Sequence, residues 1–171
     1  MTAHTSTVAS RRSLSERLEK NPDGILEQIA RDYRVSTLDV VNALPHEHRT
    51  FASADSFQFI METVGSWGPV LFIVHTADIV LECEGIVPPG TFGRGYYNLH
   101  GDSPIGGHIR ADHCSQIVFI SRPFMGRLSC SIQFFNGDGE PMFKIFVRRD
   151  KARNLIAEQV TAFEKLRATF A

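Results

Sequence analysis

The sequence predicts an α+β fold: N-terminal helices, then an antiparallel β-meander sheet, then a C-terminal helix. Three observations predict it. Apolar residues recur at helical spacing from Ser13 to Gly65, alternation replaces that spacing after Trp67-Gly68-Pro69, and helical spacing returns from Leu155 to Phe170. Ser13 and Glu16 have capping-box spacing, and with Leu14 and Leu18 they predict a first helix that stops before Asn21-Pro22. Ile25, Leu26, Ile29, Ala30 and Tyr33 make a second helix, entered through Asp23-Gly24. Ser36 and Asp39 open a third, whose apolar positions Leu38, Val41 and Leu44 run up to Pro45. Phe57, Ile60, Met61 and Val64 form a fourth that closes at Gly65.

Strand-like runs follow at Val70–His75, Ile79–Glu84, Arg94–His100, Gly107–Arg110, Gln116–Ser121, Leu128–Phe135 and Pro141–Val147. Asn136-Gly137-Asp138-Gly139 joins the last two as a hairpin signal. Leu155, Ile156, Gln159, Val160, Phe163, Leu166 and Phe170 share one face of the final helix, which is expected to pack on the sheet. Residues 1–12 are expected to be a disordered leader. Residues 13–171 then form one domain, with a helical part (13–66), a sheet (67–150) and the C-terminal helix (151–171).

The chain of 171 residues is 43% hydrophobic and 22% charged, enough to bury a substantial core. Lys and Arg total 18 against 19 Asp and Glu, so no overall basic field draws in nucleic acid or acidic lipid. Cys83, Cys114 and Cys130 are odd in number and form no CxxC, which suggests neither a disulfide framework nor a thiolate zinc site and fits a reducing cytosol. Arg11-Arg12 is followed by Ser13-Leu14-Ser15-Glu16 and not by an apolar export segment. The longest strongly apolar stretch, Val70–Val74, is far short of the roughly 20 residues of a membrane span. Cytoplasmic placement is expected.

Ile25 to Leu44 has helix-turn-helix spacing, but the would-be reading helix carries Asp39 and no Arg or Lys, so a packing pair is the better reading. His46-Glu47-His48 would chelate a metal only with a third ligand nearby. His75 ends a strand whose same-face partners are Leu71 and Ile73, so its imidazole faces an apolar surface, either as a satisfied core histidine or as a ligand. His108 follows Gly106-Gly107, which permit close approach of something bulky or mark a bulge. Tyr96 and Tyr97 point to opposite faces of one strand, one inward and the other free to meet a ligand. No Walker, dinucleotide or nucleophile-elbow motif is present.

Several strings together resemble the HutX/ChuX family of intracellular haem-utilisation proteins. They are Trp67-Gly68, Val74-His75-Thr76-Ala77-Asp78, Gly95-Tyr96-Tyr97-Asn98-Leu99, Gly107-His108-Ile109, Phe124-Met125-Gly126, Ser131-Ile132-Gln133-Phe134-Phe135-Asn136 and Lys144-Ile145-Phe146. Their order and spacing run from Ile25 to the last helix. The resemblance implies a homodimer, each subunit similar to one half of internally duplicated haem-handling proteins. It implies non-covalent haem, with His75 and His108 as candidate iron ligands and Tyr96 also tied to haem; Tyr97 ranks below Tyr96. Arg94, Arg110 and Arg127 are candidates for pairing with the propionates, on position alone. The expected function is a cytoplasmic carrier that passes imported haem to a haem-degrading enzyme and converts nothing itself. The alternatives are an enzyme of haem or linear tetrapyrrole breakdown, and a DNA-binding regulator. No CxxCH string is present, which excludes covalent attachment.

Overall fold

Helix begins earlier than its sequence signal. The computed structural model describes residues 3–171, with side chains described from Arg11 onward, and α1 spans Ala3–Lys20. Residues 3–12, expected as a leader, therefore extend the first helix backward; residues 1–2 lie outside the described part. Helix α2 spans Leu26–Tyr33 and ends at Arg34 in the left-handed conformation. Helix α3, Thr37–Ala43, opens with the expected capping box: Asp39 N–H donates to Ser36 Oγ at 3.1 Å, and Ser36 N–H donates to Asp39 Oδ2 at 3.2 Å. Helices α4 (Phe57–Gly65) and α5 (Ala157–Ala168) complete the set. No described helix is long and apolar enough to cross a membrane.

Among the described residues nine strands form: β1 Arg49–Ser53, β2 Val70–His75, β3 Val80–Gly85, β4 Gly90–Gly93, β5 Tyr96–Leu99, β6 Gly107–Ile109, β7 Cys114–Phe124, β8 Arg127–Asn136 and β9 Pro141–Phe146. Pairing is antiparallel throughout, in two sheets: β1-β7-β8-β9-β2-β3 and β4-β5-β6. Only β7–β8–β9 runs as an unbroken meander in the larger sheet; the β2–β3 hairpin joins at β9 and β1 caps the far side. Strands β1 and β4 were not expected, because each is short and interrupted by polar residues or glycine. Arg94 was expected to begin a strand. It stands instead with Gly95 in the two-residue turn between β4 and β5, at φ 52° and 81°, the mirror-image turn that matches strand twist.

The larger sheet is covered differently on its two faces. One face carries Val70, Ile117, Phe119, Ile132, Phe134, Phe143 and Ile145, packed under α4, α5 and residues of the smaller sheet. Phe57 of α4 stands edge-on to Phe134 and Tyr97, both at 5.4 Å between ring centroids. Each such fully buried aromatic contributes on the order of 1.5–3 kcal/mol. On the opposite face α1, α2 and α3 pack on Val118, Ile120 and Phe135. This is the packing pair that Ile25 to Leu44 predicted. The three helices cover part of this face, and beside α2 an open cavity lies over β2, β3 and β9 and parts of β7 and β8.

Candidate functional site

Alternation sends neighbouring residues of β5 to opposite faces. Tyr97 and Leu99 point inward, whereas Tyr96 and Asn98 point outward, with Tyr96 38% exposed and Tyr97 only 1%. Tyr97 packs over Gly90 so closely that an added Cβ there would lie 2.1 Å from its Cζ. Burial pushes its phenol up, and Glu62 adds to that. Tyr97, a candidate ligand in the sequence, is therefore a core residue, and the glycine at position 90 is what makes room for it.

The β5–β6 register places His108 directly opposite Asn98. His108 lies outward beside Tyr96, with 5.8 Å between ring centroids, and Arg110 stacks over the Tyr96 ring at 5.5 Å. Arg110 is held in turn by Asp112 through two hydrogen bonds of 3.0 and 2.9 Å, which raise the guanidinium and lower the carboxyl from their ordinary values. Asn98 sets the state of the histidine. Its Nδ2 donates to the carbonyls of Thr91, Gly93 and Tyr96 at 3.1, 3.1 and 3.2 Å, so its Oδ1 faces His108 Nδ1 at 2.6 Å. Because an amide oxygen only accepts, Nδ1 carries a proton, which in the neutral ring leaves the lone pair on Nε2. Asn98 lies inside a resembling string without marking itself there as a site residue; the signal it offers is a polar residue two positions after an outward tyrosine.

His108 and Arg110 of this group border a cavity of about 500 Å³ between β2–β3 and the loop leading into β6; Tyr96 and Asn98 are not among its lining residues. Phe72, Val74, Leu81, Leu99, Ile109 and Phe143 supply apolar lining, with His108, Arg110 and Cys83 also on the wall. The size suits a small-molecule site, for which roughly 300–1,000 Å³ is usual. Arg94 is exposed at the β4–β5 turn, two residues before Tyr96, while Arg127 belongs to the start of β8 and is not among the lining residues.

His75 goes elsewhere. Leu71, Ile73 and His75 face the side of the larger sheet opposite Phe72 and Val74, and they line the second cavity, of about 420 Å³. Its floor follows from the register. One row across the strands is Ser131, Phe146, Leu71, Glu84; the next is Gln133, Lys144, Ile73, Glu82. Lys144, 5% exposed, is ion-paired with Glu27 of α2, and His75 Nδ1 lies 3.4 Å from the same carboxylate. Burial pushes Lys144 down while Glu27 pulls it back. Arg122 donates to the carbonyls of Pro22 and Gly24, and burial takes it down to about 10. Within one chain the two candidate histidines thus belong to different cavities. His48 Nδ1 donates to Ser121 O at 2.8 Å, and no third ligand joins His46 and His48 among the described residues.

A model of the haem-utilisation ChuX/HutX family matches residues 50–166. The chain is similar to the intracellular heme transport protein HutX of Vibrio cholerae serotype O1, with 37% identity over 154 residues, 90% of this chain and 80% of that one. Among solved structures it is similar to a protein from Erwinia carotovora at 46% identity and a TM-score of 0.90, covering 92% of this chain and 98% of the other. It is also similar to the heme-binding protein ChuX, at 44% identity and a TM-score of 0.84, covering 91% of this chain and 97% of that one.

Proposed function

This chain belongs to the ChuX/HutX haem-utilisation family, and from that premise we propose that it binds haem non-covalently and carries it inside the cell without converting it. The observation that carries the site assignment is the free Nε2 of His108 beside the Tyr96 phenol at the edge of an apolar cavity. Imidazole and phenol are both axial ligands of haem iron, and an apolar wall suits a porphyrin face. Tyr96 and His108 are the iron-side residues in this reading. Arg110 and the exposed Arg94 face the propionates, and Asn98 holds the imidazole in its ligating tautomer. His75, engaged by Glu27 in the other cavity, stays outside that group.

The reading includes a homodimer. Among the described residues strand β3 pairs on one side only; Val80 and Leu81 in it are 53% and 57% exposed, and Ile79 just before it is 56% exposed. An unpaired apolar edge of this kind is a site for a second strand. It also includes hand-over to a haem-degrading enzyme, since an open site with exposed ligands favours release.

Hemin titration followed at the Soret band tests the reading. Saturable binding is expected, with Tyr96→Phe and His108→Ala altering the spectrum or weakening binding and His75→Ala leaving both unchanged. Absence of saturable binding ends the carrier reading; loss on His75→Ala alone moves the site to the other cavity. Reductant and air are expected to leave the bound haem unopened, and sustained conversion would favour an enzyme.

A further inference from the structure

The end of the larger sheet where β7 turns into β8 exposes apolar side chains that the chain itself does not pack. Met125 and Gly126 are the two turn residues between Phe124 and Arg127, with φ of 50° and 73°. Glycine or asparagine suits the first of these positions, and methionine there is strained. The Met125 side chain is nonetheless 79% exposed, so little packing within the chain offsets that strain. Leu128, 52% exposed, follows on the face that carries Cys130, and exposed Ile25 flanks the turn on the other face.

This tip is braced. The Asp23 carboxylate accepts from Met125 N–H and Gly126 N–H, both at 2.8 Å. Arg149 donates to Leu128 O at 2.6 Å and to Arg153 O at 3.0 Å, which fastens the hairpin to the neighbouring turn of residues 150–154. Asp150 closes that second turn: its carboxylate accepts from Asn154 N–H and its carbonyl from Arg153 N–H, each at 2.9 Å.

The two turns gather Arg127, Arg149, Lys151 and Arg153, and among the described residues none of the four is ion-paired. The adjacent acids, Asp23 and Asp150, are engaged by backbone N–H groups of the turns. Since the whole chain carries a net charge of -1, this end is a local basic excess. Cations set round protruding apolar side chains fit a surface that is anionic outside and apolar beneath. A soluble anion would leave Met125 and Leu128 in water. A protein partner would need a matching hollow, whereas lipid gives way around a protruding turn.

We propose that the β7–β8 tip and the 150–154 turn dock this chain reversibly on an anionic lipid surface, with Met125 entering the acyl layer and Arg127, Lys151 and Arg153 meeting the headgroups.

Cosedimentation of the full chain with vesicles tests this. Vesicles of phosphatidylcholine mixed with phosphatidylglycerol are expected to bind the chain at about 50 mM salt and to release most of it at about 500 mM, while phosphatidylcholine alone binds little. Met125→Asn removes the apolar side chain and installs a residue suited to the left-handed turn, so the fold is kept while binding falls about tenfold. Arg127→Gln combined with Lys151→Gln is expected to lower binding about 25-fold, about fivefold for each cation. Lipid spin-labelled in the acyl chain is expected to broaden the Met125 methyl resonance and to spare that of buried Met61. Failure to sediment with the anionic vesicles overturns the proposal, and retention of the chain on polyglutamate in that case assigns the tip to an acidic protein. Vesicle binding that either variant leaves unchanged, or a Met125 signal untouched by the labelled lipid, also overturns it. Hemin titration of Met125→Asn is expected to match the parent chain, so lipid docking and haem binding can each fail without the other.

Discussion

Replacing Lys144 with methionine isolates the energetics of the ion pair that fastens α2 to the sheet. Lys144 is 5% exposed and its partner Glu27 is 7% exposed, so both charges have left water. Methionine keeps nearly the whole apolar stem and removes only the ammonium, which leaves the packing term close to constant. Glu27 would then face the cavity with His75, 3.4 Å away, as its remaining partner. Breaking a buried pair from one side costs about 3–5 kcal/mol, and the nearby imidazole puts this case at the low end, about 3 kcal/mol. For a chain of this length that corresponds to a fall in melting temperature of roughly 6–12 °C. Removing both charges, Glu27→Leu with Lys144→Met, leaves no orphan and is expected to cost about 1 kcal/mol. Urea unfolding by circular dichroism at one protein concentration measures the parent, Lys144→Met, Glu27→Leu and the double variant. If Lys144→Met lies within about 1 kcal/mol of the parent, or the double variant equals the sum of the two single changes, the pair is not an energetic unit and the argument fails.

Three further outcomes are expected. Asp23 accepts from Gly126 and Met125 N–H, each at 2.8 Å, and these backbone donors, Gly126 foremost, hold its carboxyl below the usual range. Its contribution is therefore complete above the unfolded carboxyl value near 4 and disappears as pH falls through the folded value. Asp23→Asn should cost about 1 kcal/mol at neutral pH, after allowing for exposure, and nothing at the acid end; an equal loss at both in urea unfolding refutes this. Asn98→Ala releases His108 Nδ1, so nitrogen-15 shifts should change from a single Nδ1–H tautomer to a mixture and hemin affinity should fall about tenfold; an unchanged tautomer would remove Asn98 from its assigned role. Gly90→Ala drives a methyl into the Tyr97 ring, and a loss of about 2–3 kcal/mol in unfolding free energy is expected, with part recovered by adding Tyr97→Leu.

Much of this organisation was legible in residue order. The capping box at Ser36, the alternation that puts His75 with Leu71 and Ile73, and the opposite faces of Tyr96 and Tyr97 are local facts, and the structure has them. Which tyrosine turned inward was not local: it depends on Gly90, whose pairing with β5 no short window shows. Neither was the separation of His75 from His108, since it rests on β4–β6 forming a sheet of their own. Lys144 stood out too little in its strand. A lone cation between Phe143 and Ile145 signals a buried partner, yet Glu27 lies 117 residues away.

Strand β3 is a partition with a compartment on each side. Glu82 reaches both cavities, Leu81 and Cys83 line one, and Val80 and Glu84 line the other. The partition is hung from β2 alone. Stiffening it by adding a neighbour along its free margin would brace both compartments in a single event, so association of two copies and retention of contents would rise and fall together.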